Sequence, residues 1–146
     1  MRLWSTQLIK VLPKDQLVAQ WRELSAIAGA IQKSGTPNHI LVNFVLDYDY
    51  DHFISYAKYV REEMTSRGYR TMNSVWDKIT SLKSDYTILP LEEVYKEKMD
   101  DVYLLICYHN LLEKALCGGI EKEDWNKIQK LVHEAADDFL KNKGEE

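Results

Sequence analysis

The chain has 146 residues, 45% hydrophobic and 29% charged, with six Gly and three Pro, which is the composition of one folded domain with a core of its own. Nothing approaches an 18-residue uncharged apolar run, which excludes a helical membrane span, and "MRLWSTQLIKVLPKD" lacks the small-residue cleavage site of a signal peptide. The net charge of −4 argues against a general nucleic-acid binder, but its distribution is uneven: residues 1–73 carry 9 basic against 7 acidic side chains, residues 74–146 carry 10 against 16, and residues 1–36 carry 5 against 2.

In chain order, Pro13, Lys14 and Asp15 open a first helix with Leu17, Trp21, Leu24, Ala28 and Ile31 as its buried stripe. "KSGTP" ends it through Gly35 and Pro37. This stripe leaves Gln16, Gln20, Arg22 and Glu23 off the core side, with Arg22 and Glu23 about 100° apart around the axis. "PNHILVNFVLDY" reads as a short buried helix starting near Asn38, with Ile40, Leu41, Phe44, Val45 and Leu46 as its apolar residues, although a strand has the same length. The aspartates of "DYDYDHF" suit the positive end of the next helix. That helix buries Phe53, Ala57, Val60 and Met64 and stops at Gly68. A weaker helix surrounds Val75, Trp76, Ile79 and Leu82. A long one runs up to Gly118-Gly119, and a last one carries Trp125, Ile128, Val132, Ala135 and Phe139 on one face. No alternating strand pattern occurs, so the expected fold is all-α, a single compact bundle of about five or six helices spanning residues 1–146.

Most chemistry-bearing residues have a plain structural reading. His39, His52, His109 and His133 form no i, i+4 pair, and Cys107 and Cys117 stand ten apart on one helix, which fits neither zinc-finger nor redox spacing. No metal site and no cofactor is expected, and the two thiols read as reduced in a cytoplasmic protein. There is no Gly-rich phosphate loop, no GxSxG and no HExxH. The tyrosines of "DYDYDHFISYAKY" read as core and rim packing rather than as base-stacking platforms. The adjacent acids Glu62-Glu63, Glu92-Glu93, Asp100-Asp101 and Asp137-Asp138 read as solvated faces. Glu23 differs, being the only acid between Asp15 and Asp47 and lying in a strip with Arg22 and Gln20.

The element "LVAQWREL" (Leu17, Ala19, Trp21, Arg22, Glu23, Leu24), the opening "MRL" with Arg2, and the later His52, Phe53, Tyr56 and Gly68-Tyr69 resemble the pyrimidine-dimer DNA glycosylase family, the small all-α phage endonuclease V type and its bacterial relatives. The resemblance covers residues 1 to about 70; residues 74–146 form a divergent acidic half. It implies a DNA repair glycosylase with abasic-site lyase activity and no metal. The α-amine of the first residue, Met1, attacks C1′ of the damaged nucleotide, releases the base and forms an imine, while Glu23 handles protons and stabilises charge. An α-amine, with a pKa of about 8, keeps a sizeable neutral fraction at neutral pH, unlike a lysine. Arg2 and Arg22 are the implied phosphate contacts, with Gln16, Gln20 and His52 lining the groove, and the implied partner is double-stranded DNA with a damaged or abasic site, bound by a monomer.

The sequence departs from the phage pattern in two respects. The phage enzyme exposes a threonine followed by arginine once its initiator methionine is removed. Here arginine is already residue 2, before which methionine is retained. Either Met1 takes the threonine's place and Arg2 the arginine's, or Arg2 aligns with the threonine and the amine is displaced by one residue. The basic aromatic C-terminal tail of the phage proteins is also replaced by "DDFLKNKGEE". The competing reading is a non-catalytic helical binding or interaction protein that keeps the fold.

Overall fold

The computed structural model describes residues 1–144, apart from the side chains at positions 139 and 142–144. Five α-helices make up the described chain: α1 (Lys14–Ser34), α2 (Tyr50–Ser66), α3 (Asn73–Thr80), α4 (Asp101–Leu116) and α5 (Lys122–Gly144). Three short 3₁₀ turns, Thr6–Val11, Asn43–Asp47 and Leu91–Glu93, join them, and no strand occurs among the described residues. The bundle is all-α, as the periodicity predicts.

Local chemistry sets the helix ends. Gly35 adopts φ 75° and its N–H returns to the Ile31 carbonyl at 2.8 Å, which stops α1 where a Cβ would be strained. Asp49 caps α2, its carboxylate accepting from the Asp51 N–H at 2.8 Å, so the aspartate run serves the helix as expected. Asp100 does the same for α4 through the Tyr103 N–H at 2.9 Å. The C-termini of α2 and α4 both close with a glycine in the left-handed region followed by a long return bond, Tyr69 N–H to the Met64 carbonyl at 2.8 Å and Gly119 N–H to the Lys114 carbonyl at 2.9 Å.

α1 packs against α2 and α3, while α4 pairs with α5. The first 3₁₀ turn lies between the two groups, packed on α2 and on α5. Its Leu8 and the flanking Leu3 and Leu12 are fully buried, each contributing about 1.5–3 kcal/mol of apolar burial, so the N-terminal arm is part of the core. Arg67 locks the arm's far end to α2, donating to the Leu12 carbonyl at 2.7 Å and the Lys10 carbonyl at 3.0 Å while paired with Glu63 at 3.0 Å.

Two expectations are corrected. Residues 38–47 do not form an α-helix: the segment is a run of turns and one 3₁₀ turn, with Ile40, Leu41 and Leu46 exposed and only Val42 and Val45 fully buried. Asn38 takes φ 54° and the His39 N–H bonds to the Asn43 side chain at 2.9 Å, so local polar contacts compete successfully with helix formation. Gln16 and Gln20, expected off the core side, are buried at 7% and 0% exposure. A helical projection of α1 alone omits what covers that flank, namely the N-terminal arm over Gln20 and the α4–α5 turn (Gly118–Glu121) beside Gln16. The stripe itself is buried at Leu17, Trp21, Leu24 and Ala28, with Ile31 half-buried at its end. Phe139, expected on the buried face of α5, has its side chain outside the described residues.

The tyrosine-rich run packs as expected. The Tyr50 hydroxyl donates to the Ile79 carbonyl and Tyr59's to the Leu89 carbonyl, which ties the end of α3 and the chain after it back onto α2. Tyr95 sits at φ 51°, fully buried, with His52 stacked 5.3 Å from its ring and Phe44 and Tyr48 edge-on to it. The Tyr95 N–H donates to His52 Nδ1 at 3.0 Å, which holds this costly backbone conformation in place.

Candidate active site at the N-terminus

The fully buried amide of Gln20 organises the site. Its Oε1 accepts from the Trp4 N–H at 2.8 Å and from the Tyr56 hydroxyl at 2.8 Å. Its Nε2 donates to the Arg2 carbonyl at 3.0 Å and to Glu23 Oε2 at 3.1 Å. Each of its polar atoms thus has two partners, the single Tyr56 proton being shared with the Trp4 carbonyl, and one side chain joins the N-terminal arm, α2 and the carboxylate. The Tyr56 hydroxyl also reaches the Trp4 carbonyl at 2.7 Å, and the Tyr103 hydroxyl donates to the Leu3 carbonyl. Residues 2–4 are therefore held on three sides, by α1, α2 and α4.

Met1 stands half exposed at the free end of this clamped strand. Glu23 is half-buried, and removal from water raises its carboxyl above the ordinary value of 4.5, an effect only partly offset by the positive charges of the N-terminal amine and of His39. The amine and the carboxylate are thus electrostatic neighbours, although no direct ion pair joins them. A carboxylate kept partly out of water beside a primary amine, on a hydrogen-bonded frame, can hold or pass a proton and stabilise a developing cation.

The other residues singled out from sequence fall in different places. The Arg2 guanidinium lies 5.9 Å over the Trp4 ring and beside the Tyr103 hydroxyl and the buried Cys107 thiol, turned toward α4. Arg22 is exposed on an adjoining face of α1, in a groove toward α3 with Arg70, Met72 and Val75. Gln16 lies by the α4–α5 turn, with its Oε1 buried and unbonded. His52 is occupied in holding Tyr95. The structure therefore gathers Gln20, Glu23 and the Arg2 backbone beside Met1, turns Gln16 and Arg22 toward other parts of the surface, and engages the His52 ring with Tyr95.

Sequence reasoning missed Tyr56, Tyr103 and His39. Tyr56 belongs to the family-like segment but nothing in the sequence gives it a place in the site, and Tyr103 carries no signal apart from its partners. His39 is signalled only by the polar turn it sits in, where its Nδ1 accepts the Leu41 N–H at 3.3 Å and its carbonyl accepts from Val42 and Asn43. Burial pushes the Tyr56 and Tyr103 hydroxyls well above the usual range, so both remain neutral donors to the strand.

A family model described as pyrimidine dimer DNA glycosylase matches residues 1–78, more than half of the chain. The chain belongs to the pyrimidine dimer DNA glycosylase family. Searches of curated proteins and of solved structures give no significant match. The matched segment carries Met1, Gln20, Glu23 and Tyr56 but not Tyr103, which comes from α4.

Proposed function

We propose that the protein is a DNA glycosylase with abasic-site lyase activity that works through an imine on the Met1 α-amine, with Glu23 as its proton-handling partner. The observation that carries this reading is the Gln20 bridge, which ties the Arg2 carbonyl and the Glu23 carboxylate to one buried amide and so fixes the first residues beside the acid.

In this mechanism the neutral amine attacks C1′ of the deoxyribose and the glycosidic bond breaks. Its electron pair leaves with the base, which is protonated. Glu23 carries a proton from the attacking nitrogen to the ring oxygen as the bond from that oxygen to C1′ breaks, which opens the sugar and leaves a protonated imine between Met1 and C1′. Removal of a C2′ proton by the Glu23 carboxylate then expels the 3′ phosphate, with the C2′–C3′ double bond forming as the C3′–O bond breaks. Water hydrolyses the imine and returns the amine. Double-stranded DNA is the substrate, with the nucleotide turned out of the stack to reach the amine.

Borohydride trapping on a duplex with one abasic site tests this. Wild-type protein with a free Met1 amine should give a covalent adduct that maps to Met1. One additional N-terminal residue should reduce the yield by an order of magnitude or more, since it moves the amine about 3.5 Å along the chain. If the native chain forms no adduct while it still binds the duplex, the imine mechanism is wrong and the protein is a helical DNA-binding module.

A further inference from the structure

Several basic side chains of the first half already have partners within the fold. Arg67 serves Glu63 and two carbonyls, Arg61 serves Thr71 and Asn73, Lys58 pairs with Glu62, and Lys83 with Asp49 and Asp51. Arg22 and Arg70 have neither a carboxylate nor a hydrogen-bond partner among the described residues, although the chain carries a net charge of −4. Both line the groove between α1 and α3, whose walls are Val18, Trp21, Met72 and Val75. Lys78 on α3 stands at the edge of this groove, against Ser25, which lines it. Its ammonium rests against Ser25 at 3.4 Å, and a Cβ at Gly29 would come within 2.9 Å of its Nζ, so the glycine makes room for the charge. The neighbouring Asp77 forms no ion pair with any of the three.

We propose that Arg22, Arg70 and Lys78 form a phosphodiester track that holds the undamaged flank of the duplex. Arg22 and Glu23 are successive residues about 100° apart, so the track and the Met1–Glu23 site open on adjoining faces of α1. The crest between them presents Ala19 and Ala26, whose small side chains let a backbone approach closely. A helix with its side chains is about 10–12 Å across, a span one duplex covers with both flanks engaged. Along α1, Arg22 and the Ser25–Gly29 seat of Lys78 are separated by about 5–10 Å of rise, which spreads the charges along a strand. The main contacts of α4 and α5 are with each other and with the first 3₁₀ turn, away from α3. The track explains how an acidic chain can hold a polyanion: its positive charge is local and unspent.

This inference rests on the DNA reading above but not on the imine. Its test is equilibrium binding of the full-length chain to a short duplex carrying a tetrahydrofuran abasic analogue, which cannot form an imine, across a range of salt concentrations. Arg70→Ala and Lys78→Ala should each reduce the slope of log K against log[salt] by about 0.9, and the double variant by about twice that. Arg70→Lys should retain most of the slope. Lys130→Ala, which removes an exposed charge on α5, should leave it unchanged. Unchanged slopes in the groove variants, an equal loss in Lys130→Ala, or no duplex binding by wild type would each overturn the track. Loss of trapping on a true abasic site with the slope changes intact would sink the imine mechanism alone.

Discussion

Glu23→Gln should reduce strand cleavage by about 10²–10⁴-fold, the usual loss when a positioned acid–base group is removed, while the folded protein becomes more stable at neutral pH. Glutamine keeps the shape and offers the Gln20 Nε2 an oxygen to bond, so the bridge at 3.1 Å survives. What disappears is a charge partly withdrawn from water. Because that withdrawal raises the Glu23 carboxyl above 4.5, the folded protein binds this proton more tightly than the unfolded chain does, and the wild type loses stability as the pH rises through the window between 4.5 and the raised value. The variant has no such loss. Its thermal midpoint should therefore match the wild type's below that window and exceed it above. Melting curves at acidic and neutral pH, run beside a cleavage assay, check both halves. A variant less stable than wild type at neutral pH would mean that attraction to the amine and His39 outweighs burial, contrary to the direction found here.

The second large effect belongs to Gln20→Ala. Truncation leaves the Trp4 N–H and the Arg2 carbonyl without their partner at a buried junction and opens a cavity between the strand and α1, at a cost of about 2–4 kcal/mol. Release of residues 1–4 should also remove borohydride trapping, since the amine then samples many positions. Urea unfolding measures the first loss and adduct yield the second. Gln16→Leu is the contrasting variant. It removes a buried Oε1 that bonds to nothing and should leave unfolding free energy equal or higher. Two glutamines one helical turn apart thus have opposite expected signs. Equal destabilisation by both would show that burial, not the bridge, is what matters at Gln20.

The helices were legible because their signals are local. The 3.6-residue stripe of α1, Asp49 before α2 and the glycines after α1, α2 and α4 each act within a turn or two of chain. The segment around Val42 and Val45 was not legible, since a short apolar run carries little periodicity and its polar turn bonds run from side chain to backbone. In the site, Glu23 stood out by its isolation among apolar and basic residues, but its pairing with Met1 came from the family resemblance. Gln20 looked like surface because its cover arrives from residues 2–4 and from Tyr56, 36 positions away. Sequence adjacency puts Arg22 in one strip with Glu23, whereas α1 turns them about 100° apart and sends Arg22 into the groove with Arg70.

The bond from the Tyr103 hydroxyl to the Leu3 carbonyl spans 100 residues. During synthesis the first residues leave the ribosome long before Tyr103 exists, and Arg2 has neither that hydroxyl nor the Cys107 thiol beside it. The complete three-sided clamp on the strand behind the amine is therefore postponed until α4 has emerged and docked. The delay is built into topology: residues 2–4 gain their third side only from a helix that follows them by about 100 positions.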